Sequence, residues 1–474
     1  MWSVKEDAML TIILSPDSSI PLYEQLYKFI KNEIEENRIK ANDKLPSKRG
    51  LASHLKISRS TIEAAYSQLQ AEGYIRSKPG SGFYVEQINL KLNSERPKHS
   101  ISPVKYESPK NYKYEFNTNG VDTNYFPFST WAKLSREVLS EKKEEILLSS
   151  HPQGMYSLRE EIAQYLYSFR GIQAKPEQII IGAGSEFLIS LIIQILGRNK
   201  IYALENPGYP KTKKIFYSND VETISINMDE SGIKISDLEK NNINVVHVTP
   251  SHHFPLGIVM PVSRRMDLLN WAAQDENRFI LEDDYDSEFR FTGKPIPALQ
   301  SMDSLGQVIY INTFTKTLAP SLRISYIVLP KKLLKVYYNN FLFYSCTVPS
   351  FEQFTLYKFM HDGYFERHIN RMRNIYRIRR DSLISMLMNS KLADCIEIIG
   401  QNAGLHFIMR VNNGMSEDEL VIAAKEQDIL VHGLSKYYTN KNSIMPSIVI
   451  GYSTIQDKDL DVCVKLLEAA WCQD

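Results

Sequence analysis

No run of this 474-residue chain approaches the roughly 18–20 consecutive apolar residues of a membrane span. The apolar stretch Met9–Leu14 is too short for a secretory core and follows acidic residues, so no signal peptide is expected. Cysteine is scarce. Cys346, Cys395, Cys463 and Cys472 are widely spaced and form no metal-type pair, which argues for a reduced, cytoplasmic protein without a metal site. Net charge is nearly absent at +1, while 43% hydrophobic and 23% charged residues are ordinary for globular protein. No internal repeat or low-complexity tract is present. The chain is too long for one core, so two or three domains are expected.

The near-neutral total hides a local imbalance. Between residues 44 and 85, Lys44, Lys48, Arg49, Lys56, Arg59, Arg76 and Lys78 stand against Glu63 and Glu72 alone, a net +5. The rest of the chain sums to −4. Affinity for phosphate is therefore concentrated near the N-terminus. Composition separates a patterned segment, 1–86, from a polar stretch, 87–114, carrying Pro97, Pro103 and Pro109. That stretch is too poor in apolar residues to pack and reads as a flexible linker. From residue 115 to 474, β-branched runs such as Gln178–Ile181, Lys200–Leu204, Asn244–Val248, Arg278–Leu281 and Gln307–Ile311 alternate with helical patterns. Such alternation predicts an α/β domain around a mostly parallel central sheet.

In the first segment, Pro21 opens a helix whose apolar positions Leu22, Leu26, Phe29, Ile30 and Ile34 keep the helical period. Ser47 and Ser58 are placed to cap two further helices, because a serine oxygen satisfies an orphan backbone N–H. Gly73-Tyr74-Ile75 and the run Lys78–Val85, with its glycine-rich tip, predict a hairpin. Residues 20–86, with LPSKRGLASHL, SRST and PGSGFYV in order, resemble the winged helix-turn-helix domain of GntR-type bacterial regulators. The resemblance implies contacts with double-stranded DNA from Arg49, Ser58, Arg59, Thr61, Lys78 and Gly80. The plainer alternative is a solvated basic face.

The later region carries three local signals. Gly182-Ala183-Gly184-Ser185 joins a strand to an apolar helix, where backbone N–H groups suit a phosphate. Glu282-Asp283-Asp284-Tyr285 follows the apolar run Phe279–Leu281. Lys316 sits among the hydroxyls of Thr313 and Thr315, with Arg323 seven positions on. Taken singly, these read as a turn, a solvated acidic run and a surface lysine. Together with NPGY at 206–209 and TPSHHFPLGIVMPVSRR at 249–265, they resemble fold-type I aminotransferases, specifically the effector domain of MocR/GabR regulators, over residues 115–470.

The resemblance implies pyridoxal 5′-phosphate (PLP) as cofactor, with Lys316 as its Schiff-base lysine and Asp283 facing the pyridine nitrogen. Tyr285 would bond the ring oxygen and Tyr209 would stack on the ring, while Ser185, Thr313, Thr315 and Arg323 hold the phosphate. A homodimer is also implied, and the long linker permits a head-to-tail pair with exchanged DNA-binding heads. His252 and His253 lie in the segment that approaches the cofactor and fit structural hydrogen bonds as well as chemistry.

Three departures bear on turnover. Phe254 replaces the asparagine of the aminotransferase N-P-T-G motif. Ser149-Ser150-His151 stands where relatives often carry a tyrosine reaching the neighbouring subunit's phosphate. No arginine follows Arg410, so the bidentate grip on a substrate α-carboxylate is missing, and Lys436 and Lys211 occupy the corresponding effector positions. The expectation is a transcriptional regulator that senses PLP or an amino compound joined to it, not GABA, and controls amine, amino-acid or vitamin B6 genes. Its second region would be a non-turnover aminotransferase-like domain, with at most residual aldimine exchange or weak transaminase activity. The competing readings are an active aminotransferase with a DNA-binding head and a DNA-binding protein with a mere dimerisation scaffold.

Overall fold

Leu26, Ile30 and Ile34 recur every four residues and form the buried stripe of helix α1 (Leu22–Glu35). The computed structural model describes residues 12, 14–16, 18–88, 111–118, 120–291, 293, 296–440 and 445–472. Ser47 Oγ accepts from Gly50 N at 3.0 Å and caps α2 (Lys48–Leu55). Ser58 Oγ accepts from Thr61 N at 3.1 Å and caps α3 (Arg59–Ala71). Strands β1 (Ile75–Lys78) and β2 (Gly82–Val85) pair antiparallel, with Ile75 opposite Val85 and Lys78 opposite Gly82. Gly80 takes the left-handed conformation, φ 73°, that this tight tip requires. Leu26, Leu51, Ile62, Tyr66, Leu69 and Val85 close one small core. This is the winged helix expected from the caps and the glycine tip.

The chain divides into two compact units, Met1–Pro109 and Lys110–Asp474. Most of the stretch read as a linker, residues 89–110, lies outside the described residues. Its last residue, Tyr114, belongs instead to the second unit's β3 (Tyr114–Glu115), which pairs parallel with a strand far along the chain.

After α4 (Phe128–Glu141) and α5 (Tyr156–Arg170), strands and helices alternate. They are β4 (Ile179–Gly182), α6 (Ser185–Leu196), β5 (Ile201–Asn206), α7 (Pro210–Ser218), β6 (Glu222–Asp229) and β7 (Gly232–Ile233). There follow α8 (Ile235–Lys240), β8 (Val245–Val248), α9 (Val262–Ala273), β9 (Phe279–Asp283), β10 (Val308–Thr313) and β11 (Ser325–Val328). One sheet takes the order β4-β11-β10-β9-β8-β5-β6-β7. Its centre, β10 through β6, is parallel, and β11 runs antiparallel to both its neighbours. The mostly parallel α/β sheet is thus as expected, with β4, β5, β9 and β10 ending one or two residues later than the apolar runs suggest and β8 ending with its run at Val248.

Period-two alternation divides the side chains between the sheet's faces. Ile180, Ile309, Ile311 and Ile327 pack with α6 on one face. Ile179, Ile181, Tyr310 and Tyr326 pack with α5 on the other. α6 buries seven apolar side chains, and at roughly 1.5–3 kcal/mol for each fully buried one, packing rather than propensity holds it.

The chain continues through α10 (Lys331–Asn340), α11 (Ser350–His361) and α12 (Tyr364–Met388) into an antiparallel sheet. β12 (Ile396–Ile399) and β13 (His406–Val411) precede α13 (Glu417–Glu426) and β14 (Ile429–Leu430), the partner of β3. β15 (His432–Gly433), β16 (Ser447–Gly451) and α14 (Leu460–Trp471) complete it. No helix of the described residues is long and apolar enough to cross a membrane.

Candidate functional site

The C-terminal ends of β4, β5, β8, β9 and β10 lie along one edge of the sheet, where ligand sites of open α/β sheets form. A cavity of about 680 Å³ opens there. Ser185, Tyr209, Lys211, Asp283, Tyr285, Thr313, Thr315, Lys316, Arg323 and Lys436 all line it. Every residue that the sequence reading assigned to the cofactor or the effector therefore lines one cavity.

Strand alternation selects one carboxylate from the acidic run. Glu282 is buried and accepts from the N–H groups of Leu299 and Gln300, each at 2.8 Å. Asp284 is buried beside Arg170 Nε at 2.9 Å and accepts from Tyr310 Oη at 2.5 Å. Asp283 points between them to the cavity, with Oδ2 3.3 Å from His247 Nε2. Tyr285 follows on the same side, and its hydroxyl stands 3.2 Å from His252 Nδ1. Burial holds its phenol well above the usual range, so it stays neutral and can donate.

Lys316 leaves the turn after β10 and donates to the Thr118 carbonyl at 2.9 Å. It is half-buried and keeps access to the cavity. The dense protein around it pushes its ammonium down to about 8, against an opposing attraction from Asp286. That makes the neutral, nucleophilic amine available near physiological pH.

Hydroxyls and N–H groups gather at the next corner. Thr313 Oγ1 donates to Thr315 Oγ1 at 2.7 Å and accepts from Ser325 Oγ at 2.8 Å. Ser185 opens α6, whose N-terminal dipole favours an anion. Arg323 stands with Nη2 2.5 Å from Glu186 Oε2, and Lys211 pairs with the other Glu186 oxygen.

Aromatic rings form the opposite wall. Tyr209 and Phe254 meet edge to face with centroids 5.6 Å apart, and Phe254 meets Tyr437 at 5.1 Å. Phe254, which stands where the aminotransferase motif has asparagine, packs its ring against those of Tyr209 and Tyr437. His252 and His253 do not line the cavity. His252 Nδ1 lies 2.9 Å from Asp286, and His253 Nε2 lies 3.5 Å from Glu205.

Sequence reasoning missed Glu186, Glu205 and His247. Glu186 directly follows Gly184-Ser185, and His247 is the one polar residue inside β8. Glu205 Oε2 accepts from Thr249 N and Oγ1 at 3.1 and 2.8 Å, and burial pushes its carboxyl up to about 7. A charged residue at the end of an apolar parallel strand was the available signal.

In the first unit, Arg49, Ser58, Arg59, Lys78 and Gly80 are exposed and Thr61 is half-buried. Arg59 opens α3, and Lys78 lies 4.6 Å from the centre of the Tyr84 ring at the hairpin tip.

Residues 22–85 match the gntR family of bacterial regulatory proteins, and residues 113–464 match aminotransferase class I and II. The chain is 40% identical over 463 residues to the uncharacterized HTH-type transcriptional regulator YdeL of Bacillus subtilis, covering 98% of this chain and 99% of that one. It is 30% identical over 484 residues to the probable rhizopine catabolism regulatory protein MocR of Rhizobium meliloti, covering 97% and 96%. The chain belongs to the MocR/GabR group of GntR-type transcriptional regulators. The fold of its effector domain is that of Pyrococcus horikoshii kynurenine aminotransferase, with a TM-score of 0.66, 21% identity, and coverage of 80% of this chain and 95% of that one. Members of this regulator group pair a DNA-binding head with an aminotransferase-like domain, and PLP dependence follows at the level of the family.

Proposed function

We propose that this MocR/GabR regulator binds PLP in the sheet-edge cavity and reports the loaded state, or a small amine joined to it, to operator DNA. The observation that carries this reading is the meeting of Lys316, with its softened ammonium, and Asp283, held by His247, in one cavity. The donor set fits the group. An amine, a carboxylate, a hydroxyl and helix-N-terminus corner, and an aromatic wall match an aldehyde, a ring nitrogen, a phosphate and a flat ring in turn. When bound, the cofactor supplies an aldehyde that condenses with amines and a ring that withdraws electrons from them.

In this reading Lys316 holds the aldehyde carbon and Asp283 keeps a proton on the ring nitrogen. Tyr285 donates to the ring oxygen and Tyr209 covers the ring. Ser185, Thr313, Thr315 and Arg323 receive the phosphate. Lys436, on an exposed turn at the cavity rim, offers a point charge instead of a bidentate fork, and Lys211 offers one already shared with Glu186, so an incoming α-carboxylate is gripped loosely. Sensing follows more readily than turnover from that geometry.

Arg49, Ser58, Arg59, Thr61, Lys78 and Gly80 form the proposed DNA face, in a cytoplasmic homodimer with two heads. The effector acts only as far as it binds two arrangements of the dimer with different affinity. The test is incubation of loaded protein with a panel of amines and a keto acid. Stoichiometric spectral change without sustained product supports sensing; continued product release at ordinary enzyme rates supports an active aminotransferase.

A further inference from the structure

Arg323 and Lys211, both lining the cavity, share one carboxylate. Glu186 Oε2 takes Arg323 Nη2 at 2.5 Å, while Oε1 is paired with Lys211. The guanidinium is seated closely, because a β-carbon on Gly184 would come within 2.2 Å of Arg323 Nη2. Arg323 itself holds a left-handed backbone, φ 54°, that fixes where its side chain starts. Burial alone would raise the Glu186 carboxyl, but hydrogen bonds from Lys211 and Arg323 bring it down to about 2. It is therefore an anion at every working pH.

We propose that Glu186 is a resident anion that competes with the cofactor's phosphate for Arg323 and so sets how tightly this regulator holds PLP. The inference rests on the cavity being the cofactor pocket. Two anions within reach of one guanidinium repel each other, and a dianionic phosphate repels Glu186 more strongly than a monoanion does. Loading requires Glu186 to give up Arg323 and remain on Lys211 alone. Lys211 is then the holder of the displaced carboxylate, not a free anchor for an effector. Competition of this kind weakens cofactor binding without altering Lys316 or Asp283, and brings occupancy into a range that responds to cofactor concentration.

The test is a titration of the full-length, cofactor-free protein with PLP, followed by visible absorbance. Unphosphorylated pyridoxal serves as a control ligand and inorganic phosphate as a competitor. Glu186→Gln is expected to bind PLP about three- to fivefold more tightly, the upper end of what one partly exposed ion pair contributes. Its affinity for pyridoxal should stay within about twofold of wild type, and inorganic phosphate should compete better. Lys211→Gln, which leaves Glu186 entirely to Arg323, should bind PLP more weakly, and the double variant should recover the tight binding. Unchanged or weaker PLP binding by Glu186→Gln overturns the competition, as does equal tightening toward pyridoxal. If Glu186→Gln does not fold, Lys211→Gln decides alone: weaker PLP binding supports the competition and unchanged binding overturns it. Absence of any saturable band in wild type overturns the cofactor pocket itself, which separates the two failures.

Discussion

His247 Nε2 stands 3.3 Å from Asp283 Oδ2, across the neighbouring parallel strands β8 and β9. The histidine fixes the orientation of the carboxylate proposed to meet the ring nitrogen. A hydrogen bond to a charged group contributes about 1.5–3 kcal/mol. Asp283→Asn should therefore loosen PLP by roughly ten- to hundredfold, and His247→Ala by a smaller factor, with circular dichroism unchanged. Wild-type affinity in Asp283→Asn would remove the carboxylate from the site.

Lys316 should load its cofactor faster as pH rises. Its ammonium is lowered to about 8, so the reactive neutral amine grows through that pH and levels off above it. Stopped-flow absorbance between pH 6 and 9.5 measures the profile, and a flat one contradicts the assignment. Lys316→Ala should lose the visible band of lysine-bound cofactor while keeping its fold and basal DNA affinity. An unfolded variant makes the lysine structural.

Arg59 lies exposed at the first turn of α3. Arg59→Ala should weaken operator binding by about 1–3 kcal/mol, with the cofactor spectrum intact. Fluorescence anisotropy on operator DNA reads this directly, and equal affinity removes Arg59 from the DNA face.

Glu205 gives a stability signature. Burial raises its carboxyl to about 7 in the folded chain, above its ordinary value of 4.5. Its contribution is therefore complete below about 4.5 and is lost as pH rises through about 7, by roughly 3 kcal/mol at most. Glu205→Gln does not suffer that loss. In cofactor-free protein, the Tm of the variant relative to wild type should climb between pH 4.5 and 7 and then level off. A difference independent of pH contradicts a buried, proton-holding Glu205.

What the sequence made legible was mostly local. The caps Ser47 and Ser58, the apolar stripe of α1 and the glycine tip each specify their element within a few residues, so the winged helix could be read whole. The parallel strands were visible as β-branched runs, but Asp283 and Thr313 end two of them with polar residues, which shifted the expected ends inward. Lys316, Asp283 and Arg323 were identifiable because each sits in a motif. The Glu186–Arg323 pair was not, since 137 residues separate the partners and only the crossover connections bring them together. His247 was hidden for a different reason: within an apolar run, one histidine reads as part of a buried strand until its partner is known. Tyr114 was assigned to the linker because its strand partner, Ile429, lies at the other end of the domain.

The central claim is that cofactor occupancy changes how this regulator engages DNA. The most direct measurement is a footprint, with affinities, of the full-length protein on its own upstream DNA, with and without PLP, in wild type and Lys316→Ala. The account predicts that PLP changes the protected region or the affinity in wild type and has no effect in Lys316→Ala. Identical footprints and affinities in wild type with and without PLP would contradict it.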